Sequence, residues 1–271
     1  RAAAGTLYNI DFSDLGSRLT TAQYRVYSQP GQAGQLIKDW ADVVSNAAGQ
    51  LSYTANWAVD FAALQSWTTN YVSVRAYDQA GLSTALNDVF YVRKDTTPPS
   101  SADNQAYATA FLSSNSGLYN VDFTDPGSES GLLKAQVRLS THTGTSPPYL
   151  LDWTDALTLT GGVYTSDWPI PQAVWDEIPS GVTAYVSVRV LDAALLSSDT
   201  YSAFTVCKDT VVPKITINQS GDDIWRFTDP GPVYDVDFSD LESGAATAQY
   251  RLYSGAGGTG AVPVADEGFF G

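Results

Sequence analysis

The sequence predicts an all-β protein built from tandem antiparallel sandwiches, and two observations carry that prediction. A stretch reading LYNIDFSDLGSRLTTAQYRVYS at positions 7–28 returns at 118–140 with a longer loop, and again at 233–254. The copies begin about 110 residues apart, which is the size of a domain and well above the roughly 20–50 residues of a solenoid unit. Short runs of alternating apolar and polar residues, separated by turn signals, fill the space between the copies and are typical of antiparallel sandwiches.

The repeat divides the chain into three predicted domains, and we expect the outer two to be incomplete. Residues 1–97 form repeat one, residues 98–211 repeat two and residues 212–271 repeat three. Ahead of its LYNIDF strand repeat one has only Arg1–Thr6, too few residues for the first strand that repeats two and three have room for. Repeat three stops before any copy of the later YVSVR strand. The missing parts are expected in a longer parent chain or in neighbouring chains.

The composition is that of a globular protein with an acidic surface. Hydrophobic residues make up 44% of the chain and aromatic residues 12%, so a packed core is expected. The formal charge of −15 argues against nucleic acid or an anionic membrane as a partner. No apolar run approaches the roughly 18 residues that a membrane span needs, so membrane insertion is not expected.

The repeated stretch contains two predicted strands joined by a turn. In the first strand, YNIDF at 8–12, apolar and polar residues alternate, which is the pattern of a half-buried strand. The second strand follows the DLGSR turn and is expected to bury Ala22, Tyr24 and Val26. Repeat two has the same phase at Ala135, Val137 and Leu139.

The clearest strand of each repeat is YVSVRAYD at 71–78 and YVSVRVLD at 185–192. Its phase predicts that the valines and Ala76 face the core, and that Ser73 and Arg75 face outward. A final strand ends in FYVRK and leads into the linker DTTPP at 95–99, which repeat two closes in the same way with KDTVVP. Because proline fixes φ, we expect this linker to be a semi-rigid spacer.

The tryptophans form two matched pairs. Trp40 corresponds to Trp153 and Trp57 to Trp168, and this recurrence favours packing over an exposed surface that would stack on sugars. Trp225 has no counterpart and is the candidate for an exposed aromatic residue. One short helical turn is predicted between Trp57 and Trp67.

A second short helical turn is predicted around Gln172–Ile178.

With these elements in place, the chain resembles tandem bacterial immunoglobulin-like or fibronectin type III-like repeats. The resemblance rests on the V-x-V-x-A strand, the D-x-A-G turn at Asp78, Ala80 and Gly81, and the closing K-D-T-x-x-P. Such repeats occur in large extracellular surface proteins, so the resemblance implies immunoglobulin-like sandwiches located outside the cell or at its surface. Tyr71 and Tyr185 are out of phase with the core valines, which favours the immunoglobulin-like label.

Recurring aspartates in turns and linkers are the one constellation with a candidate chemistry. They are Asp11, Asp14, Asp78, Asp95, Asp122, Asp125, Asp192, Asp209, Asp237 and Asp240. Calcium takes six to eight oxygen ligands from carboxylates, carbonyls and water, and aspartates beside a linker can supply them. The resemblance implies the same, because some bacterial immunoglobulin-like repeats bind calcium between domains. The alternative is turn chemistry, in which each aspartate accepts hydrogen bonds from its own backbone.

The sequence offers no recognisable catalytic arrangement, and we predict that the chain is not an enzyme. His142 is the only histidine and Cys207 the only cysteine, which excludes an imidazole–thiolate metal cluster and an intrachain disulfide. Cys207 aligns with Arg93 and is expected on the outward face of its strand. No cofactor other than calcium is expected.

The expected function is therefore structural or adhesive: a spacer or self-assembling fibre segment of an extracellular surface protein. Its partners are the neighbouring repeats and further copies of itself. The alternatives are a glycan- or protein-binding adhesin module and an accessory region of a secreted hydrolase.

Overall fold

The structure is a computed structural model that describes residues 7–127, 130–221, 223–228, 231, 234–260 and 268–270. The predicted all-β class is confirmed, since several antiparallel sheets account for nearly all of the regular structure. The opening segment Arg1–Thr6 and the start of the third copy at Val233 lie outside the described residues. No helix in the described ranges is long and apolar enough to span a membrane.

Repeat one contains a four-stranded antiparallel sheet and a separate strand pair. The sheet has the order β3-β2-β5-β6, and β1 pairs with β4. The strands are β1 (Phe12–Ser13), β2 (Leu19–Gln29), β3 (Ala33–Gln50), β4 (Ser52–Tyr53), β5 (Thr69–Asp78) and β6 (Ser83–Arg93).

Repeat two repeats this plan with more strands. Its larger sheet has the order β11-β10-β13-β14-β8, in which only β8 is parallel to its neighbour, and its smaller sheet has the order β12-β9-β7. The strands are β7 (Ser100–Asp103), β8 (Phe111–Leu112), β9 (Val121–Thr124), β10 (Leu132–Ser140), β11 (Leu151–Thr158), β12 (Val163–Tyr164), β13 (Val182–Asp192) and β14 (Ser197–Lys208).

Repeat three is described as two strand pairs. The pair β15–β16 has the same register as β7–β9 in repeat two, with Ile215 opposite Phe238 where Ser101 stands opposite Phe123. The strands are β15 (Lys214–Ile217), β16 (Val236–Ser239), β17 (Ala248–Tyr250) and β18 (Gly268–Phe270).

Repeats one and two each have a hydrophobic core to which both of their sheets contribute. The predicted inward phase is confirmed: Ala22, Tyr24 and Val26 are buried, and so are the corresponding residues of β10. Trp57 and Trp168 lie in the two cores, and each indole N–H donates to a main-chain carbonyl at 3.2 Å. The packing role predicted for this tryptophan pair is therefore confirmed.

Both predicted helical turns are present and short. A 3₁₀ turn covers Phe61–Ala63, and an α-helix, α1, covers Gln172–Asp176. The helix places Val174 and Trp175 in the core of repeat two.

Two predictions of outward-facing side chains are wrong. Ser73 is buried because an irregularity in the pairing of β5 with β6 folds the backbone over it, so that the N–H of Asp88 donates to its hydroxyl at 3.2 Å. Cys207 is buried because β8 lies alongside β14, and its thiol is within 3.5 Å of the carbonyl of Ala108. The segment that covers Cys207 has no counterpart in the described part of repeat one, so the comparison with Arg93 was misleading.

Candidate metal centre between repeats one and two

Three of the predicted aspartates meet where repeat one joins repeat two. Asp95 lies in the linker two residues after β6, Asp125 directly follows β9, and Asp192 is the last residue of β13. One carboxylate oxygen from each lies within 4.8 Å of the other two. The residues are 3%, 4% and 0% exposed, respectively, so all three are buried. Among the described residues this is the one group of three or more potential metal ligands.

Backbone N–H groups hold each carboxylate in place. The N–H of Thr97 donates to Oδ1 of Asp95, and both the N–H and the hydroxyl of Ser130 donate to its Oδ2. Because Ser130 belongs to repeat two, these bonds tie the linker to the following repeat. In the same way the N–H of Gly131 donates to Oδ2 of Asp125 at 2.6 Å.

The third carboxylate is anchored by the turn after β13, where the N–H of Leu196 donates to Oδ1 of Asp192 at 2.8 Å.

One oxygen of Asp125 and one of Asp192 have no hydrogen-bond partner. These atoms, Oδ1 of Asp125 and Oδ2 of Asp192, are buried. A buried polar atom without a partner costs about 1–3 kcal/mol, and more when it is charged. Burial raises the pKa of both carboxyls, and the nearby charge of Asp95 raises both further. The cluster therefore needs a proton or a cation to compensate its charge.

Repeat one has the same arrangement with a serine in place of the linker carboxylate. Asp14 follows β1 and Asp78 ends β5, as Asp125 and Asp192 do in repeat two. The hydroxyl of Ser17 lies 3.0 Å from Asp14 and 2.7 Å from Asp78, and its hydrogen bond lowers the pKa of Asp78. Asp14 and Asp78 are thus two carboxylates with a hydroxyl between them.

At the next junction the linker residue behaves as Asp95 does. Asp209 follows β14 and is 7% exposed, and the N–H of Ser243 in repeat three donates to its Oδ2 at 3.1 Å. Hydrogen bonds from Ser243 lower the pKa of Asp209. Asp240 directly follows β16 and accepts a hydrogen bond from the N–H of Glu242. These two aspartates occupy the places of Asp95 and Asp125.

The remaining three predicted ligands are not brought into a cluster. Asp122 accepts a hydrogen bond from the amide of Asn104 at 2.8 Å, and Asp237 accepts one from Asn218 at 2.7 Å. Asp11 is exposed at the surface of repeat one. For Asp122 and Asp237 the structure shows hydrogen bonding to a neighbouring loop. The Asn-Gln dipeptides that recur at 104–105 and 218–219 are the sequence signal that could have predicted it.

The other tryptophan pair lies on the outer face of the large sheets, which sequence reasoning did not predict. The guanidinium of Arg75 lies 4.1 Å from the ring centre of Trp40, and Arg25 lies 5.4 Å from it. Arg138 and Arg189 lie 4.6 and 4.3 Å from the ring of Trp153. The four arginines occupy corresponding outward positions in the two repeats. In each repeat two of them therefore pack on the tryptophan ring and cover the outer face of the large sheet.

Trp225 is fully exposed, as predicted.

Comparison with known proteins gives no family. No protein-family model matches the chain, and no curated protein matches it in sequence. The case for a function therefore rests on the repeated architecture and on the Asp95–Asp125–Asp192 cluster.

Proposed function

We propose that the chain is a non-catalytic segment of an extracellular array of immunoglobulin-like sandwiches, and that it serves as a semi-rigid spacer. In this proposal a calcium ion held by Asp95, Asp125 and Asp192 fixes the angle between consecutive repeats. The observation that carries it is that the linker carboxylate of Asp95 is buried beside the carboxylates of Asp125 and Asp192 in the next repeat. Asp125 and Asp192 each have one buried oxygen without a hydrogen-bond partner.

The dimensions of the cluster suit a single calcium ion. Calcium binds oxygen at about 2.3–2.6 Å, so two ligands on opposite sides of one ion are at most about 5 Å apart. The three aspartate oxygens lie within 4.8 Å of one another, and main-chain carbonyls and water can complete the coordination. Magnesium is less suited, because it demands near-ideal octahedral geometry and usually keeps several of its waters.

The ligand set explains how the ion would act on the junction. Asp95 moves with the linker, whereas Asp125 and Asp192 belong to the sheets of repeat two. An ion bound by all three removes freedom from the linker, which the proline pair at 98–99 already restricts.

The proposal predicts that calcium stabilises repeat two through these three residues. A ligand present at about 100 times its dissociation constant adds about 2.7 kcal/mol to the folded state. For a repeat of this size that is a shift on the order of ten degrees in Tm, to be measured by thermal unfolding in excess calcium and again in chelator.

The matched variants are Asp192→Asn, which should abolish the calcium shift, and Asp11→Asn, which should keep it because Asp11 lies outside the cluster. Coincident curves for the unsubstituted chain with and without calcium would reject the calcium site and leave the aspartates with turn chemistry.

A further inference from the structure

A partly open cavity of about 220 Å³ lies within repeat two, between β14 and the segment that precedes β9. One wall is formed by residues 204–207 of β14 and the other by part of residues 105–119. The second wall includes Ala106, Ala108 and Ala110, whose short side chains leave the space between segment and strand unfilled.

The cavity is apolar and its wall is uncharged. None of its lining residues, all of which lie in the described part of the chain, has an acidic or basic side chain. The rings of Tyr119 and Phe204 stack with their centres 4.1 Å apart, and burial raises the pKa of Tyr119 to about 12, so its hydroxyl is neutral at physiological pH. The hydroxyl of Thr205 and the thiol of Cys207 lie 2.7 and 3.5 Å from the carbonyl of Ala108. Since an ion would lose its hydration here without gaining a counter-charge, a neutral molecule is the suitable occupant.

One lining side chain has hydrogen-bonding capacity left over. The side-chain oxygen of Gln105 accepts a hydrogen bond from the N–H of Asn120 at 3.2 Å. Its Nε2, which is a donor, is buried without a partner. Because a buried donor without an acceptor is unfavourable, the cavity favours an occupant that supplies an acceptor atom.

The volume sets the size of the occupant. An apolar cavity of about 150 Å³ holds one benzene molecule. The remaining volume, about 70 Å³, corresponds to about two water molecules at roughly 30 Å³ each. One aromatic ring with a substituent of two heavy atoms therefore fits the space.

We propose that this cavity binds a neutral one-ring aromatic molecule that carries one acceptor oxygen. The ring packs against the stacked pair of Tyr119 and Phe204, and the oxygen accepts a hydrogen bond from Nε2 of Gln105. None of the aspartates of the candidate metal centre lines the cavity, so this binding site is independent of the proposed function.

The test is a titration of the full chain with benzyl alcohol, followed by saturation-transfer NMR. We expect saturable binding. In the presence of benzyl alcohol, hydrogen exchange should slow at residues 105–119 and 204–207, which form the two walls. Ethylbenzene, which has the same size and no oxygen, is the matched ligand.

Two substitutions of Cys207 test the location of the site. Cys207→Leu places a larger side chain in the wall and should abolish the binding of both ligands. It should not lower the Tm of repeat two, because filling a cavity commonly stabilises a fold. The matched control, Cys207→Ser, keeps the size of the side chain and should keep the binding.

Gln105→Glu tests the acceptor. The substitution keeps an oxygen that accepts from the N–H of Asn120 and removes the amide donor. It should weaken the binding of benzyl alcohol roughly 2- to 12-fold, which is the usual worth of one hydrogen bond, and leave ethylbenzene within about twofold. The same change for both ligands would contradict the role of Gln105.

Absence of saturable binding, binding that survives Cys207→Leu, or protection only in other parts of the chain would overturn the proposal. The protection is measured on the unsubstituted chain, so it decides the matter even where a variant fails to fold. A dimer of the chain that benzyl alcohol dissociates in sedimentation would assign the cavity to a side chain of a second copy, and would also overturn it.

Discussion

Leu195 has a left-handed backbone, with φ of 68°, at the turn position that Gly81 holds in repeat one with φ of 82°. Repeat two has leucine where this turn favours glycine, and the turn nevertheless keeps the same main-chain hydrogen bonds in both repeats. A non-glycine residue in this region is strained by about 1–2 kcal/mol. Repeat two therefore keeps the turn of repeat one and carries the backbone strain at Leu195.

Leu195→Gly should stabilise repeat two by up to about 1 kcal/mol, because relief of the strain exceeds the added chain entropy of glycine. Leu195 is 70% exposed, so little apolar contact is lost. The measurement is the denaturant midpoint of repeat two, and the matched control, Gly81→Leu, should destabilise repeat one. A lower midpoint for Leu195→Gly would show that the leucine side chain stabilises the turn.

Single residues also show where sequence reasoning succeeds and where it fails. Alternation along a strand predicted the burial of Ala22 and Val26, because that pattern depends on one strand alone. It failed for Ser73 and Cys207, which are covered by an irregularity in one neighbouring strand and by the addition of another. Neither feature can be predicted from the sequence of the strand that contains the buried residue.

At the scale of the element, the ends of strands decide which aspartates meet. Asp125 and Asp192 stand where β9 and β13 end, and Asp95 follows β6. Asp122 and Asp237 lie within strands, and their carboxylates bond to asparagines of an adjacent loop. The sequence showed that all these aspartates recur, but which strand ends meet depends on how the two sheets pack together.

The cluster of strand ends makes stability depend on pH in a definite direction when calcium is removed. The folded-state pKa values of Asp125 and Asp192 are raised by burial above the ordinary value of 3.8. The folded protein therefore holds these protons more tightly than the unfolded chain does. Stability from this source is complete below the ordinary pKa and is lost as the pH rises through the raised values.

In chelator, the stability of the unsubstituted chain relative to Asp192→Asn should fall as the pH is raised from about 4 to 7. Excess calcium should reverse the trend, because calcium binds the ionised carboxylates. Denaturant midpoints measured across this range give the comparison. A difference between the two chains that stays flat, or grows with pH in chelator, would show that the carboxylates are not held in an unfavourable environment.

At the scale of the whole molecule, the three repeats are joined by one recurring device. A linker aspartate accepts a hydrogen bond from a serine N–H of the following repeat, Asp95 from Ser130 and Asp209 from Ser243. Because the same hydrogen bond is found at both junctions, it is a recurring feature of how one repeat is joined to the next. The sequence predicted the linkers and their stiffness from proline, and the structure adds the bond by which each linker is tied to the next repeat.

The measurement that tests the account most directly is the distance distribution across the first junction. Spin labels at Thr84→Cys in repeat one and Thr158→Cys in repeat two report it, since both positions are exposed and Cys207 is buried. We expect one narrow distribution in excess calcium, a broader one in chelator, and a broad one in both conditions when Asp125→Asn is added. A distribution of the same width with and without calcium would contradict a junction that is stiffened by a bound ion.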